Sequence, residues 1–180
     1  MKQQFEQVTP AEIEKRSFEI IESELPHPLD PRLAPIIKRV IHTSADFDYA
    51  DNMYFSPGAV DVALTAIQKG ACIITDTNMA KAGINKKELK KYGGEVFCFM
   101  ADEDVAASAK QRGTTRAAVS MDKSCFIDRP VIFAIGNAPT ALVRLHELIT
   151  EGRISPLLII GVPVGFVNVV QAKELIMDTS

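Results

Sequence analysis

Three histidines offer proton chemistry near neutral pH, and they differ in setting. His42 sits in RVIHTSADFDY (39–49), where the apolar stripe Leu33, Ile36, Ile37, Val40, Ile41 gives way to Thr43, Ser44, Asp46 and Asp48. That places it in the last turn of a predicted helix, where the helix dipole favours a protonated ring, as a general acid/base requires. A helix-ending histidine bonded to a backbone carbonyl would have the same sequence, so both readings stand on pattern alone. His27, between Pro26 and Pro28, reads as an exposed residue, and His146, among Leu142, Leu145 and Leu148, as a surface or packing residue. Arg16 and Ser17 are neighbours on the first predicted helix. Arg116 follows Thr114-Thr115 at a helix start, where a guanidinium, hydroxyls and backbone N–H groups together favour an oxyanion. Asp102, Glu103 and Asp104 follow an apolar run and read as helix-capping carboxylates rather than a metal site.

Several chemistries find no support. No GxxxxGK[ST], GxGxxG or GxSxG is present, and no CxxC or HExxH. Cys72, Cys98 and Cys125 are odd in number and scattered, which argues against a disulfide framework or a zinc site and for a reduced, cytoplasmic setting. Lys+Arg is 20 against Asp+Glu 23, a net charge of −3 with no dense basic run, so nucleic acid is not an expected partner. A small anionic ligand is compatible with this balance, because local arginines and N–H groups can bind it. MKQQFEQVTP lacks the apolar core of a signal peptide. The longest apolar run, 156–164, is well short of the ~18 residues of a membrane helix.

The elements that would hold these residues follow from pattern. Thr9-Pro10-Ala11-Glu12 predicts a helix start and a helix to about Leu25, broken by Pro26-His27-Pro28. Asp30-Pro31 starts a second helix. Ser56-Pro57 starts a third, with Val60, Ala63, Leu64 and Ile67 inward and Gly70 as its stop. Beyond it, ACIITD, EVFCFMA, PVIFAIG and LLIIGVP are short apolar runs alternating with helical patterns such as NKKELKKYG and TALVRLHELITEG. That alternation predicts one α/β domain over 1–180: a doubly wound parallel sheet flanked by helices, with an N-terminal helical lead-in. Ligands of such sheets bind beyond the carboxyl ends of the strands, here the turns ITDTN, MADED, IGNAPT and GVPVGF. The N–H groups at Gly136-Asn137 and Gly165-Phe166 could hold a carboxylate or phosphate, or could simply be strand-to-helix turns.

Taken in order, these motifs carry a resemblance. I-x-x-R-S-F (13–18), R-V-I-H (39–42), F-S-P (55–57), TDTNMAKAGI (75–84), G-T-T-R-A-A (113–118), AIGNAPTAL (134–142) and GVPVGFVN (161–168) together resemble the precorrin-8X (cobalt-precorrin-8) methylmutase family of cobalamin biosynthesis. The resemblance implies an isomerase that moves a methyl group between macrocycle carbons 11 and 12 of a corrin precursor, without redox agent or external methyl donor. It implies His42 as the proton donor and acceptor. Arg16, Ser17 and Arg116 would contact the substrate, with the turns Asp76-Thr77, Gly136-Asn137 and Gly165-Phe166 against the macrocycle. No cofactor or protein metal site is implied; cobalt, if present, belongs to the substrate, and the sequence leaves open whether it does. A homodimer with its pocket close to the subunit interface is also implied. Ala117 departs from the serine of many relatives, and relatives continue beyond the last helix into an Arg- and Gly-bearing segment where this sequence ends at Ser180. A non-catalytic corrinoid carrier and a small-anion binding module are the competing expectations; R-V-I-H argues against a carrier, which needs no acid.

Overall fold

The computed structural model describes residues 8–179, so the first seven residues of MKQQFEQVTP, and Ser180, lie outside what is described. Chain contacts divide the protein into two compact units, Met1–Val60 and Asp61–Ser180. The boundary falls inside a helix, not in a linker.

In the first unit, α1 (Ile13–Glu24) and α2 (Ala34–Ser44) pack together, and the short α3 (Tyr49–Asn52) packs on α2. Helix α1 begins at Ile13, three residues after the predicted start, and Thr9 opens the turn before it: its carbonyl accepts from Glu12 and Ile13, and its hydroxyl donates to the Glu12 carboxylate at 2.6 Å. Asp30 plays the matching part before α2, accepting the Arg32 N–H at 2.7 Å. Buried Ile21, Ile37 and Ile41 form a small core, with Phe18, Leu25, Leu29 and Leu33 packed around it. Leu33, Ile37 and Ile41 of the predicted stripe join this core, whereas Ile36 is 37% exposed.

The second unit takes up most of α4 (Ala59–Gln68) and continues through β1 (Cys72–Thr75), α5 (Asn78–Gly83), α6 (Lys86–Lys91), β2 (Val96–Phe97) and α7 (Glu103–Arg112). It ends with α8 (Arg116–Ser124), β3 (Val131–Ile135), α9 (Pro139–Thr150), β4 (Leu158–Gly161) and α10 (Val169–Met177). The four strands are parallel in the order β2-β1-β3-β4, with Ile73 opposite Val96 and Ile132, and Ile132 opposite Leu158. Strand alternation divides β3 between two cores. Val131, Phe133 and Ile135 meet Ala117 and Met121 of α8 and Ala141, Leu142, Leu145 and Leu148 of α9, whereas Ile132 meets Ala66 of α4. Helices therefore cover both faces of a parallel sheet.

One expectation is corrected. Leu64, read as inward, is 52% exposed, and Ala66 is the buried residue of α4. Ala66 packs with Ala71 and Ile132, so the buried face of the helix is turned by about one residue position from the one bulk hydrophobicity suggests. Gly70 ends this helix at φ +79°, where a Cβ would lie 2.8 Å from the Tyr92 carbonyl oxygen; only glycine suits both constraints.

Candidate functional site

The strand order creates a switch point between β1 and β3, since the chain leaves β1 toward β2 and returns on the other side. Ligands of doubly wound sheets bind at such a crevice. The residue there is Asp76, fully buried, and its carboxylate accepts three backbone N–H groups: Gly136 at 3.0 Å, Asn137 at 2.8 Å and Ala138 at 2.6 Å. The N–H groups expected to face a ligand's carboxylate at this turn are engaged by one from the protein itself. This internal anion also sits at the positive end of α9, where a negative charge is favourable. Thr75 ties the other side of β1: its hydroxyl lies 3.0 Å from the Thr77 carbonyl and 3.3 Å from that of Phe97 at the end of β2.

Around this edge the predicted residues come together in part. Thr77 caps α5, its hydroxyl accepting from the Ala80 N–H at 3.1 Å. Thr115 caps α8 through the Ala118 N–H at 3.1 Å, and its hydroxyl meets that of Thr140 at 2.9 Å, joining the starts of α8 and α9. Arg116, the first residue of α8, is exposed and has no hydrogen-bond or ion-pair partner among the described residues. By contrast Arg144 is held by Asp122 at 2.7 Å and by Glu147, and Lys123 by Asp102 and Asp104. That engages Asp102 and Asp104 in ion pairs, and among the described residues no group of three or more His, Cys, Asp or Glu is placed to hold a metal. Gly136 has open space where a Cβ would stand, so the turn presents a bare backbone surface. Gly165 adopts φ +142°, a conformation suited to glycine, and leaves the following Phe166 fully exposed.

The first unit supplies Arg16, Ser17 and His42. The Ser17 hydroxyl donates to the Ile13 carbonyl at 2.8 Å, and Arg16 pairs with Glu19 at 3.6 Å. His42 is exposed in the last turn of α2, its ring 5.4 Å from that of Phe18 at an interplanar angle of 44°. Neither ring nitrogen of His42 has a hydrogen-bond partner among the described residues. The other two histidines are engaged. His27 Nε2 lies 2.7 Å from Asp51 Oδ1 and its Nδ1 3.1 Å from the Pro28 carbonyl; the bond to Asp51, then that to Pro28, raises its pKa above the ordinary value. His146 Nδ1 bonds Thr179 Oγ1 at 2.8 Å, and because that hydroxyl donates to the Leu175 carbonyl, Nδ1 is the donor. The hydroxyls following His42 are also internal, Thr43 donating to the Arg39 carbonyl at 3.0 Å and Ser44 to that of Val40 at 2.8 Å.

Sequence reasoning missed the surroundings of His42: Phe18, Arg39 over the Phe18 ring at 4.8 Å, and Glu14 bonded to Arg39 at 2.9 Å. The hydrogen bond from Arg39, then its charge, holds the Glu14 carboxyl below the usual range, and the charge of His42 contributes in the same direction. Spacing of four residues on α1 and three on α2 was visible. The register in which the helices meet was not. No helix among the described residues is long and apolar enough to cross a membrane. Burial pushes the Cys72 and Cys125 thiols up, away from the thiolate form a nucleophile needs.

Comparison with known proteins gives one consistent answer. The family model CbiC, precorrin-8X methylmutase, matches residues 12–180. The cobalt-precorrin-8 methylmutase of Priestia megaterium is 46% identical over 168 residues, which span 93% of this chain and 75% of that protein. The cobalt-precorrin-8 methylmutase of Leptospira interrogans is 42% identical over 168 residues, 92% of this chain and 76% of that one. The solved precorrin-8x methyl mutase from Thermus thermophilus matches with a TM-score of 0.84 at 41% identity, covering 94% of this chain and 82% of that one. A four-stranded parallel sheet with a switch point between β1 and β3, and this degree of likeness over almost the whole chain, have one reading: the chain belongs to the precorrin-8X/cobalt-precorrin-8 methylmutase family, the isomerases of cobalamin biosynthesis.

Proposed function

We propose that this protein moves a methyl group between carbons 11 and 12 of a precorrin-8 macrocycle, with His42 as the general acid and base. The observation that carries this reading is the state of the His42 ring: exposed, in contact with one aromatic side, and with both nitrogens open. Protonation of the conjugated ring system draws electron density from the acceptor carbon and assists the shift. Return of the proton to His42 leaves the acid ready for the next turnover, so atoms and charge balance without a redox partner or external methyl donor. A general acid of this kind contributes ~10²–10⁴-fold. Orientation of a rigid macrocycle supplies much of the remainder.

Arg116 meets one of the substrate's peripheral carboxylates, with Arg16 and Ser17 as further polar contacts. The turns Asp76-Thr77, Gly136-Asn137 and Gly165-Phe166 lie against the macrocycle. The unpaired guanidinium of Arg116 and the bare backbone at Gly136 support these assignments. The active species is a cytoplasmic homodimer. Exposed Val162, Val164, Phe166 and Val167 support an apolar contact of that kind.

The test supplies precorrin-8 with and without cobalt to the purified chain and follows the visible spectrum. His42→Gln is expected to retain product binding and lose turnover by at least ~10²-fold; turnover at the wild-type rate refutes the role of His42. Arg116→Ala is expected to raise Kd for the product about tenfold, the scale of a charge-assisted hydrogen bond. Retained product binding with no turnover of either substrate by the wild-type chain would instead identify a carrier.

A further inference from the structure

Three residues beside His42 have no part in the chemistry above. Glu14 and Phe18 share one face of α1, and Arg39 and His42 one face of α2. Between the helices they form a continuous series. Glu14 Oε1 accepts from Arg39 Nη2 at 2.9 Å, the Arg39 guanidinium lies 4.8 Å from the Phe18 ring centroid, and the Phe18 ring lies 5.4 Å from that of His42. Phe18 is itself packed against the core of Ile21, Ile37 and Ile41, so it is the fixed member of the series.

We propose that Phe18, Arg39 and Glu14 are positioning residues for His42: Phe18 sets the plane of the imidazole, and the Arg39–Glu14 pair locks Phe18 while cancelling the charge that Arg39 alone would impose on the ring. This rests on the reading of His42 as the acid/base of the reaction. The need for such a device follows from geometry. A metal-free histidine catalyst is ordinarily oriented through its second nitrogen by a carboxylate or carbonyl, and His42 has no such bond among the described residues. The aromatic contact is the restraint that remains, and a tilted ring pair at this separation is a favourable arrangement.

Electrostatics give the pair its second function. A guanidinium three residues from His42 repels positive charge on the ring, and the carboxylate bonded to that guanidinium counters the repulsion. Several other charged groups of the elements packed on α2 have partners of their own. On α1, Glu22 is held by Lys38 and Glu19 by Arg16, and on α3 Asp51 is held by His27. In the loop after α2, the Asp46 carboxylate accepts from the Asp48 N–H at 2.9 Å.

The test uses NMR of the histidine ring protons in the full chain, with His27 and His146 as internal references, beside turnover of precorrin-8. Phe18→Leu is expected to move the His42 ring resonances through loss of the ring current, leaving those of His27 and His146 in place. The same change should lower kcat by roughly 10- to 100-fold, the scale of a small misplacement of a catalytic group, with KM within about twofold. Phe18→Tyr, which keeps the ring, is expected to restore both. Arg39→Gln and Glu14→Gln, each of which breaks the pair that holds Phe18, should each move the His42 ring resonances by less than Phe18→Leu does, again leaving those of His27 and His146 in place. Unchanged His42 resonances and kcat in Phe18→Leu, or His42 resonances unmoved by both charge variants, overturns the proposal. If Phe18→Leu does not fold, the exposed charge variants and Phe18→Tyr decide it. Failure of the underlying reading has a different mark: His42→Gln then retains turnover, whatever the ring resonances do.

Discussion

Replacing Asp76 by alanine is expected to destabilise the second unit strongly, through backbone and not substrate. Its carboxylate receives N–H groups at 3.0, 2.8 and 2.6 Å and is itself fully buried. Alanine leaves three donors at the start of α9 without their acceptor. An unsatisfied donor costs about 1–3 kcal/mol when buried, and the three in this part-buried turn fall at the low end of that range. Water admitted to the vacated space recovers part of this, so the lower bound of the sum, about 3 kcal/mol, is the appropriate expectation. For a chain of this length 1 kcal/mol corresponds to about 2–4 °C in Tm, giving a fall of roughly 6–12 °C. Asp76→Asn should lose about half of that, because its amide oxygen can still accept while its NH₂ is directed at a remaining N–H. The assay is thermal unfolding by circular dichroism without ligand, on wild type and both variants. A Tm for Asp76→Asn within about 1 °C of wild type would refute the claim that this carboxylate holds the β3–α9 turn. Lost turnover with unchanged Tm would point to direct substrate contact instead.

Two further predictions follow from burial and charge. The Ser120 hydroxyl on α8 is fully buried and has no hydrogen-bond partner among the described residues, so Ser120→Ala should stabilise the protein by about 1 kcal/mol and raise Tm by about 2–4 °C in the same unfolding assay; a fall in Tm would show that the hydroxyl is satisfied. At Asp122 burial raises the pKa, but hydrogen bonds from Arg112 at 2.5 Å and Arg144 at 2.7 Å, with their charges, outweigh it and leave the carboxyl below its ordinary value. Because the folded value is the lower one, the unfolded chain takes up the proton first; the stabilisation is complete above the unfolded value of about 4 and is lost as pH falls through the folded value. The Tm difference between wild type and Asp122→Asn should therefore be largest near neutral pH and shrink below about pH 4; a difference constant across that range would contradict the ion-pair account.

Local rules made much of this fold legible. Thr9 and Asp30 form the turns that lead into α1 and α2, Gly70 follows the end of α4, and the four apolar runs became the four strands. Strand order was beyond reach, because parallel neighbours are chosen by packing between residues far apart in sequence. The same limit explains the site. Asp76 and the Gly136 turn were each noticed as candidates, but nothing local says that one would bind the other across sixty residues of chain. Likewise His42 stood out by its place at a helix end, whereas its aromatic neighbour depends on the register of two helices. Leu64 shows the converse failure, where bulk hydrophobicity named a residue for the core and Ala66 is the one packed with Ala71 and Ile132.

The engaged turn at Asp76 also sets how the crevice responds to its medium. With the positive end of α9 already neutralised from within, an anion arriving at this edge meets attraction from the exposed guanidinium of Arg116 and little from that helix. Attraction of that origin is screened over about 8–10 Å at physiological ionic strength. Added salt should thus weaken capture of a polycarboxylate while leaving the bound complex to react at its own pace, making encounter, and not conversion, the step sensitive to the ionic composition of the surrounding solution.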